Sequence, residues 1–535
     1  MKFKTLLMLL VLALMGTSTV SAAQDDDDAA LRLKIHNAVM GVYNKYLEQD
    51  PNDYNTLFQR ASQLYNMGYL ADAKADIDRA IELTPAKEKE LRCDELVLRA
   101  LINDDNGDLQ AELDDLKQAV ELNSQSQATI GLLARLSYKL NDLNAAEKNY
   151  KLLLSKNARN YQAMYGLALV EAKRGHNADA VAHVDRAVEL FPATTEVYLN
   201  RADILERTGN YTSAVNNYLL AMTTSDDNGQ AIQELFNMSD QHYDAVVTAL
   251  RDASDQAPGT GLFMRIRSSI AIKHAHYGQA LRDLESLIDN NLMSHAAVRA
   301  DAARCALEVC EYDKAIQHAA KAIEQDNADP DYYIIMSRAL QHKGDLGGAA
   351  EALAGARKIG EPGVDLLLAE ARLLIAQKKD ADAVKLVNDA IALDGGNAEA
   401  LMLRGWLNKY RLNQPAAANV DFETVLLGKA NMRGLRGFAL HELGRDDEAR
   451  KWATDIINEN PLPGGEAYVM AAALLSDMDD NTQAMRYMES ALANGYGSRL
   501  EALVSEAPYV NLKLLRRHPD YASLVGRYSN NFEIK

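Results

Sequence analysis

The sequence predicts an all-α fold: an α-solenoid (superhelix) of about twelve helix–turn–helix repeats, with capping helices at both ends. Three observations carry this expectation. Small residues recur in register at a 34-residue period. Glycine recurs at a fixed place between them. Proline closes several of the resulting units.

The first small position is held by Ala61, Ala100, Ala134, Ala168, Ala202, Ser268, Ala303, Ser337, Ala371, Gly405, Gly437 and Ala472. Six of its steps have the full period, three from Ala100 to Ala202 and three from Ala303 to Gly405. A second small residue follows twelve positions later, as at Ala73, Ala146, Ala214 and Ala349, and a third seven beyond that, as at Ala80, Ala187 and Ala390. Such a unit reads as two antiparallel helices whose small side chains let the backbones approach where they cross. Bulkier residues four positions away, among them Leu57, Ile77, Tyr150, Val184, Tyr198, Leu284 and Leu353, fill the remaining space.

Gly68, Gly107, Gly175, Gly209, Gly344 and Gly444 fall between the two helices. A helix end there needs the left-handed region, which glycine enters without a Cβ penalty. Pro51, Pro85, Pro192, Pro258 and Pro461 fall between units, where proline stops one helix and tolerates the first turn of the next.

These residues resemble the tetratricopeptide repeat family, exported bacterial type. The stretches Leu57-x3-Ala61-x6-Gly68-x-Leu70-x2-Ala73-x6-Ala80-x4-Pro85 and Tyr198-x3-Ala202-x6-Gly209-x-Tyr211-x2-Ala214-x3-Tyr218-x2-Ala221 match its pattern, and the resemblance runs from about residue 51 to 495. It implies a binding module whose first helices line a concave face.

The expected organisation is a signal peptide over 1–22, an acidic N-terminus and capping helix over 23–50, and a front array over 51–226. A degenerate repeat or hinge covers 227–260, a rear array 261–495 and a C-terminal capping segment 496–535. Lys2, Lys4, the apolar run Leu6 to Met15 and Val20-Ser21-Ala22 give the signal its three parts. The run is too short to span a bilayer, and no Cys stands near the cleavage region to carry a lipid. The mature chain is therefore expected to be exported, periplasmic and not itself inserted in a membrane.

Three departures from the period carry local expectations. The 39-residue step from Ala61 to Ala100 predicts an extra loop around Lys87 to Glu95. Gln414-Pro415 predicts a shortened or kinked hairpin. Residues 29–49 predict one amphipathic helix with Leu31, Ile35, Val39, Val42, Tyr43 and Tyr46 on its apolar side.

The formal charge is −19, and loss of the segment 1–22, which holds Lys2 and Lys4 and no acid, takes it to −21. Such a surface argues against nucleic acid and anionic lipid as partners. Cys93, Cys305 and Cys310 read as small apolar side chains rather than a disulfide framework.

No catalytic constellation, cofactor motif or metal motif is found, and the eleven His residues carry no assigned role. Asp104-Asp105-Asn106-Gly107-Asp108 lacks the closing Glu of a calcium loop and reads as an inter-helix turn. The chain is expected to be a protein-binding scaffold rather than an enzyme, with no cofactor. A receptor for a glycan or cell-wall fragment is the alternative, and an α/α-type enzyme comes third. The resemblance points to the residue just after the first small position as one that faces the groove. Arg304, Arg338, Arg372 and Trp406 hold that place in four successive repeats, an arrangement suited to an acidic protein or peptide partner. Lys139, Lys173 and Arg207 form a second row near first-helix ends, where the helix dipole favours cations in any case.

Overall fold

The computed structural model describes residues 38–225, 227–428, 435–459, 465–494, 496, 500 and 507–528. These residues are helical, with no strand among them. The chain divides into two compact units between Ala231 and Ile232. The proposed signal segment, Leu31 and Ile35 lie outside the described residues.

In the first unit, residues 38–49 form a helix, followed by five hairpins running from Tyr54–Asn66 with Leu70–Leu83 to Thr195–Arg207 with Tyr211–Thr224. The second unit holds seven, from Leu262–Lys273 with Tyr277–Asp289 to Glu466–Asp477 with Asn481–Ala493. Within each unit consecutive helices pack on one another, and first helices also touch the first helices of neighbouring hairpins. Contacts of this nearest-neighbour kind bury a continuous core without bringing distant parts of the sequence together.

Every first small position is buried, with Ala61, Ala134, Ala168, Ala202, Ala303 and Ala371 fully so. The reason is visible where the residue is glycine. A Cβ on Gly405 would lie 2.5 Å from the Phe422 ring, and one on Gly437 would lie 2.1 Å from the Trp452 ring. Large side chains of the second helix occupy the space that the small residue vacates.

The turn inside each of the twelve described hairpins is the same. One residue with positive φ follows the first helix, and the next amide donates back to a carbonyl of its last turn, as Asp108 N does to Asn103 O at 2.8 Å. Glycine holds the position in six. Asn141, Ala275, Cys310, Lys378, Asn413 and Asp479 hold it in the others, with φ between 54° and 63°. Packing of the two helices imposes the turn even where the residue resists it.

The structure corrects three sequence expectations. No extra loop lies around Lys87 to Glu95. The added residues lengthen the first helix of that hairpin to 17 residues, Lys89–Asp105, because the Lys-, Glu- and Leu-rich stretch is a strong helix former. Gln414-Pro415 does not kink its hairpin: Pro415 opens the second helix, Pro415–Leu427, where its missing amide costs nothing. In the helix over 38–49, Val42 and Tyr46 are exposed, while Leu47 is buried against Leu57 and Leu64. The face turned to the core is therefore rotated from the one predicted.

Residues Gly229–Gln256 form two helical stretches meeting at His242, whose φ of −131° and ψ of 42° break the helix. Near the other end, Tyr496, Leu500, Leu512, Leu515 and Leu524 are buried with the last hairpin. Leu503 lies outside the described residues. Cys93 and Cys305 are buried free thiols and Cys310 is half-buried.

Candidate partner-binding surface

Arg304, Arg338 and Arg372 lie on first helices that touch in succession, Ala296–Glu308, Pro330–His342 and Val364–Ala376. The shared period thus becomes a row in space. The row is not bare. Arg304 donates to Asp301 on its own helix at 3.1 Å. Arg338 approaches Glu308 of the preceding hairpin at 3.8 Å. Arg372 pairs with Glu399 of the following one.

Asp331, Asp365 and Glu399 follow the same 34-residue spacing, each a fixed distance beyond one of the three Arg. This acidic row runs beside the basic one. The Asp331 carboxyl is pushed up by desolvation and by Asp329, held back by Arg304 and pushed up again by Asp365. Trp406 is half-buried against neighbouring core clusters, 6.4 Å from the Tyr410 ring and with the Arg411 guanidinium 5.2 Å over its face. It is a packed, partly exposed side chain.

The second row is a set of stitches between first-helix ends in the first unit. Lys139 donates to Asp104 at 2.6 Å, and Lys173 sits 4.9 Å over the Tyr138 ring. Arg207 donates to Asp203 at 2.7 Å, which also accepts from the Tyr165 hydroxyl at 2.9 Å. Hydrogen bonding to Asp203 raises the Arg207 guanidinium further, and burial raises the Tyr165 phenol. Each cation therefore has a structural partner one repeat back or one turn back.

A third row escaped the sequence reading. Arg60, Arg99, Arg201, Arg267 and Arg404 stand immediately before the first small residue. Four of them reach a buried Asp on the second helix of their own hairpin. Arg60 grips Asp76 at 2.6 Å through two nitrogens, Arg99 grips Asp115, Arg267 grips Asp283 and Arg404 grips Asp421. For Arg201 the corresponding partner is Asn217, at 3.2 Å.

Several of these guanidinium groups also reach back to the helix before. Arg60 donates to Asn44, Arg99 to Asp78, Arg201 to Asp185 and Arg404 to Asn388. One planar fork with several donors can hold three helices in this way. The signal was present in the sequence, as Arg before the small residue and Asp or Asn in the middle of the next helix.

At the far end of the second unit, first-helix ends gather a carboxylate pair. Lys409 Nζ and the Tyr410 hydroxyl both donate to Glu442, at 2.7 and 2.9 Å. Asn511 donates to Asp477 at 3.1 Å. Burial pushes the Asp477 carboxyl up to about 6, against the pull of His441 and the Asn511 amide and with the push of Glu442.

The folded state thus favours protonated Asp477, whereas an unfolded Asp titrates near 4. Its stabilising contribution is complete below about pH 4 and is lost as the pH rises through about 6. Asp477→Asn should therefore stabilise the second unit at pH 7, by on the order of 1–2 kcal/mol after solvent screening, and should change little at pH 4. Thermal melts of both proteins across that range check this. An equal effect at both pH values would reject the assignment.

A tetratricopeptide repeat family model matches residues 132–193 and 170–229. Among solved structures, the chain is similar to YrrB, described as a TPR protein with an unusual peptide-binding site. Identity is 16%, over 36% of this chain and 96% of that one, with a TM-score of 0.29. It is similar to yeast Tom70 at 15% identity, over 76% and 97% of the two chains, with a TM-score of 0.33. It is also similar to the APC/C hetero-tetramer Cut9–Hcn1 at 13% identity, over 91% and 98%, with a TM-score of 0.31. No curated protein matches it in sequence. Among the described residues, no helix is long and apolar enough to cross a membrane.

Proposed function

Because this chain is a tetratricopeptide repeat protein, we propose that it is an exported, non-catalytic scaffold of the periplasm. It holds an extended, acidic segment of a protein partner, a subunit of a cell-envelope or secretion complex, along its first helices. Proteins built from this repeat act as protein–protein interaction scaffolds. The observation that supports the acidic partner most is the row of Arg304, Arg338 and Arg372 on touching first helices, with Trp406 at the same repeat position in the next.

The acids now beside these Arg residues tell how such a partner would bind. Arg304 and Arg372 keep side-chain exposures of 42% and 20%. The Arg304–Asp301 pair is of the solvent-screened kind, in which formation adds little, while Arg372 is the more enclosed of the two. A partner carboxylate can take over a guanidinium at small cost, and a bidentate pair then adds directional hydrogen bonds. Trp406 offers the large amphipathic anchor that interfaces favour.

The test is the triple variant Arg304→Ala, Arg338→Ala, Arg372→Ala. Arg304→Ala by itself should cost only about 0–1 kcal/mol of stability, and melting of the triple variant checks that it remains folded. Binding to the species retained by the wild-type protein from a cell-envelope extract should weaken by on the order of 1–3 kcal/mol per lost charge-assisted bond, with a shallower salt dependence. Unchanged affinity in a folded triple variant would reject this surface.

A further inference from the structure

We propose that Glu171, His176 and Asp179 form a binding site for a divalent transition-metal ion of the zinc type, built across the turn of one hairpin in the first unit. The turn joins Tyr161–Lys173 to Asn177–Leu190. Glu171 lies near the end of the first helix, His176 caps the second, and Asp179 lies in its first turn. Single ligand atoms of Glu171, His176 and Asp179 all come within 4.8 Å of one another.

His176 Nδ1 and Glu171 Oε2 are hydrogen-bonded at 2.7 Å. A metal ion takes the place of the hydrogen between them, the proton passing to Nε2 of the neutral imidazole, and the imidazole and carboxylate become ligands. Zinc ligands stand about 2.0–2.2 Å from the metal, hence roughly 3.3 Å from each other in a tetrahedron. The exposed His176 and Asp179 side chains can close the remaining distance by rotation.

The grouped donors are one imidazole and two carboxylates, and a solvent molecule completes the tetrahedron. Imidazole with carboxylate suits zinc more than calcium or magnesium.

Of the nearby cations, Arg174 donates to Glu147 at 2.7 Å and to Asn144 at 2.8 Å, and also pairs with Glu171 Oε1 at 3.7 Å, which leaves Glu171 Oε2 for the metal. Lys151 pairs with Glu147. The second hairpin-turn histidine with an acid, His441 Nδ1 at 2.8 Å from Asp446, serves as an internal control. It has the pair without a third ligand grouped beside it among the described residues.

The experiment is titration of the full chain with Zn²⁺ alone, in a buffer that does not chelate, followed by calorimetry and by thermal melting. The expected result is one zinc site, a rise in melting temperature on binding, and loss of both in His176→Ala with Asp179→Asn. His441→Ala should leave zinc affinity unchanged. Circular dichroism confirms that each surface variant remains helical. No binding by the wild type overturns the site, as does full affinity in the His176/Asp179 variant.

Discussion

Replacing Arg267 by alanine should destabilise the second unit by about 3–5 kcal/mol. Arg267 and Asp283 are 11% and 8% exposed, the least exposed of the Arg–Asp pairs, and their two bonds measure 2.8 and 2.6 Å. With the guanidinium gone, the carboxylate is left inside without a counter-charge. It must either stay ionised in a poor solvent or take up a proton. The pair as a whole contributes much less than this loss, since desolvating two ions offsets most of their attraction. Arg267→Met with Asp283→Leu should therefore recover most of the stability that Arg267→Ala removes. Urea unfolding of the three proteins decides the matter. A cost below about 1 kcal/mol for Arg267→Ala would place the pair among ordinary surface bridges.

The substitution Gly437→Ala, a single methyl group, should cost about 1–3 kcal/mol or more. The new Cβ would fall 2.1 Å from the Trp452 ring, and two further ring atoms would lie at 2.5 and 2.6 Å. An aromatic ring packed between helices cannot retreat as the end of a flexible chain can. Trp452→Leu in the same protein should restore part of the loss, with a coupling of at least about 1 kcal/mol between the two positions. Urea titration followed by circular dichroism reads both variants. If Gly437→Ala melts like the wild type, the ring has room to shift and the close approach is not what requires glycine.

The fold was largely legible because crossing helices demand small residues, and a demand repeated by stacking appears as a period. The twelve small positions from Ala61 to Ala472 are buried for that reason. What the period could not convey was how a local exception would be absorbed. Extra residues before Cys93 lengthened a helix, since their composition favours one. Pro415 started a helix rather than bending one. Half of the turn positions were overlooked because glycine was taken as their mark, whereas Lys378 and Ala275 adopt the same backbone.

The candidate surface was legible only in part. Equal spacing brought the helices of Arg304, Arg338 and Arg372 side by side. It gave no warning of the acids beside them, although Asp331, Asp365 and Glu399 obey the same 34-residue rule. A search for one charge sign alone hides such a compensating row. The Arg–Asp staples were hidden differently, because partners separated by 16 or 17 residues meet only after the hairpin has closed. The His176 group depends on the turn in the same way.

The uniform hairpin turn has a practical corollary. Cys310 already occupies that left-handed position, so a thiol is compatible with it. Cysteines at Ala275 or Lys378 would replace residues that, unlike Asn or Asp, bear the same backbone penalty, and would add none. Dyes attached there would form a series of optical markers at known hairpins. Energy transfer between them would then follow the spacing of individual hairpins inside one unit as a partner engages.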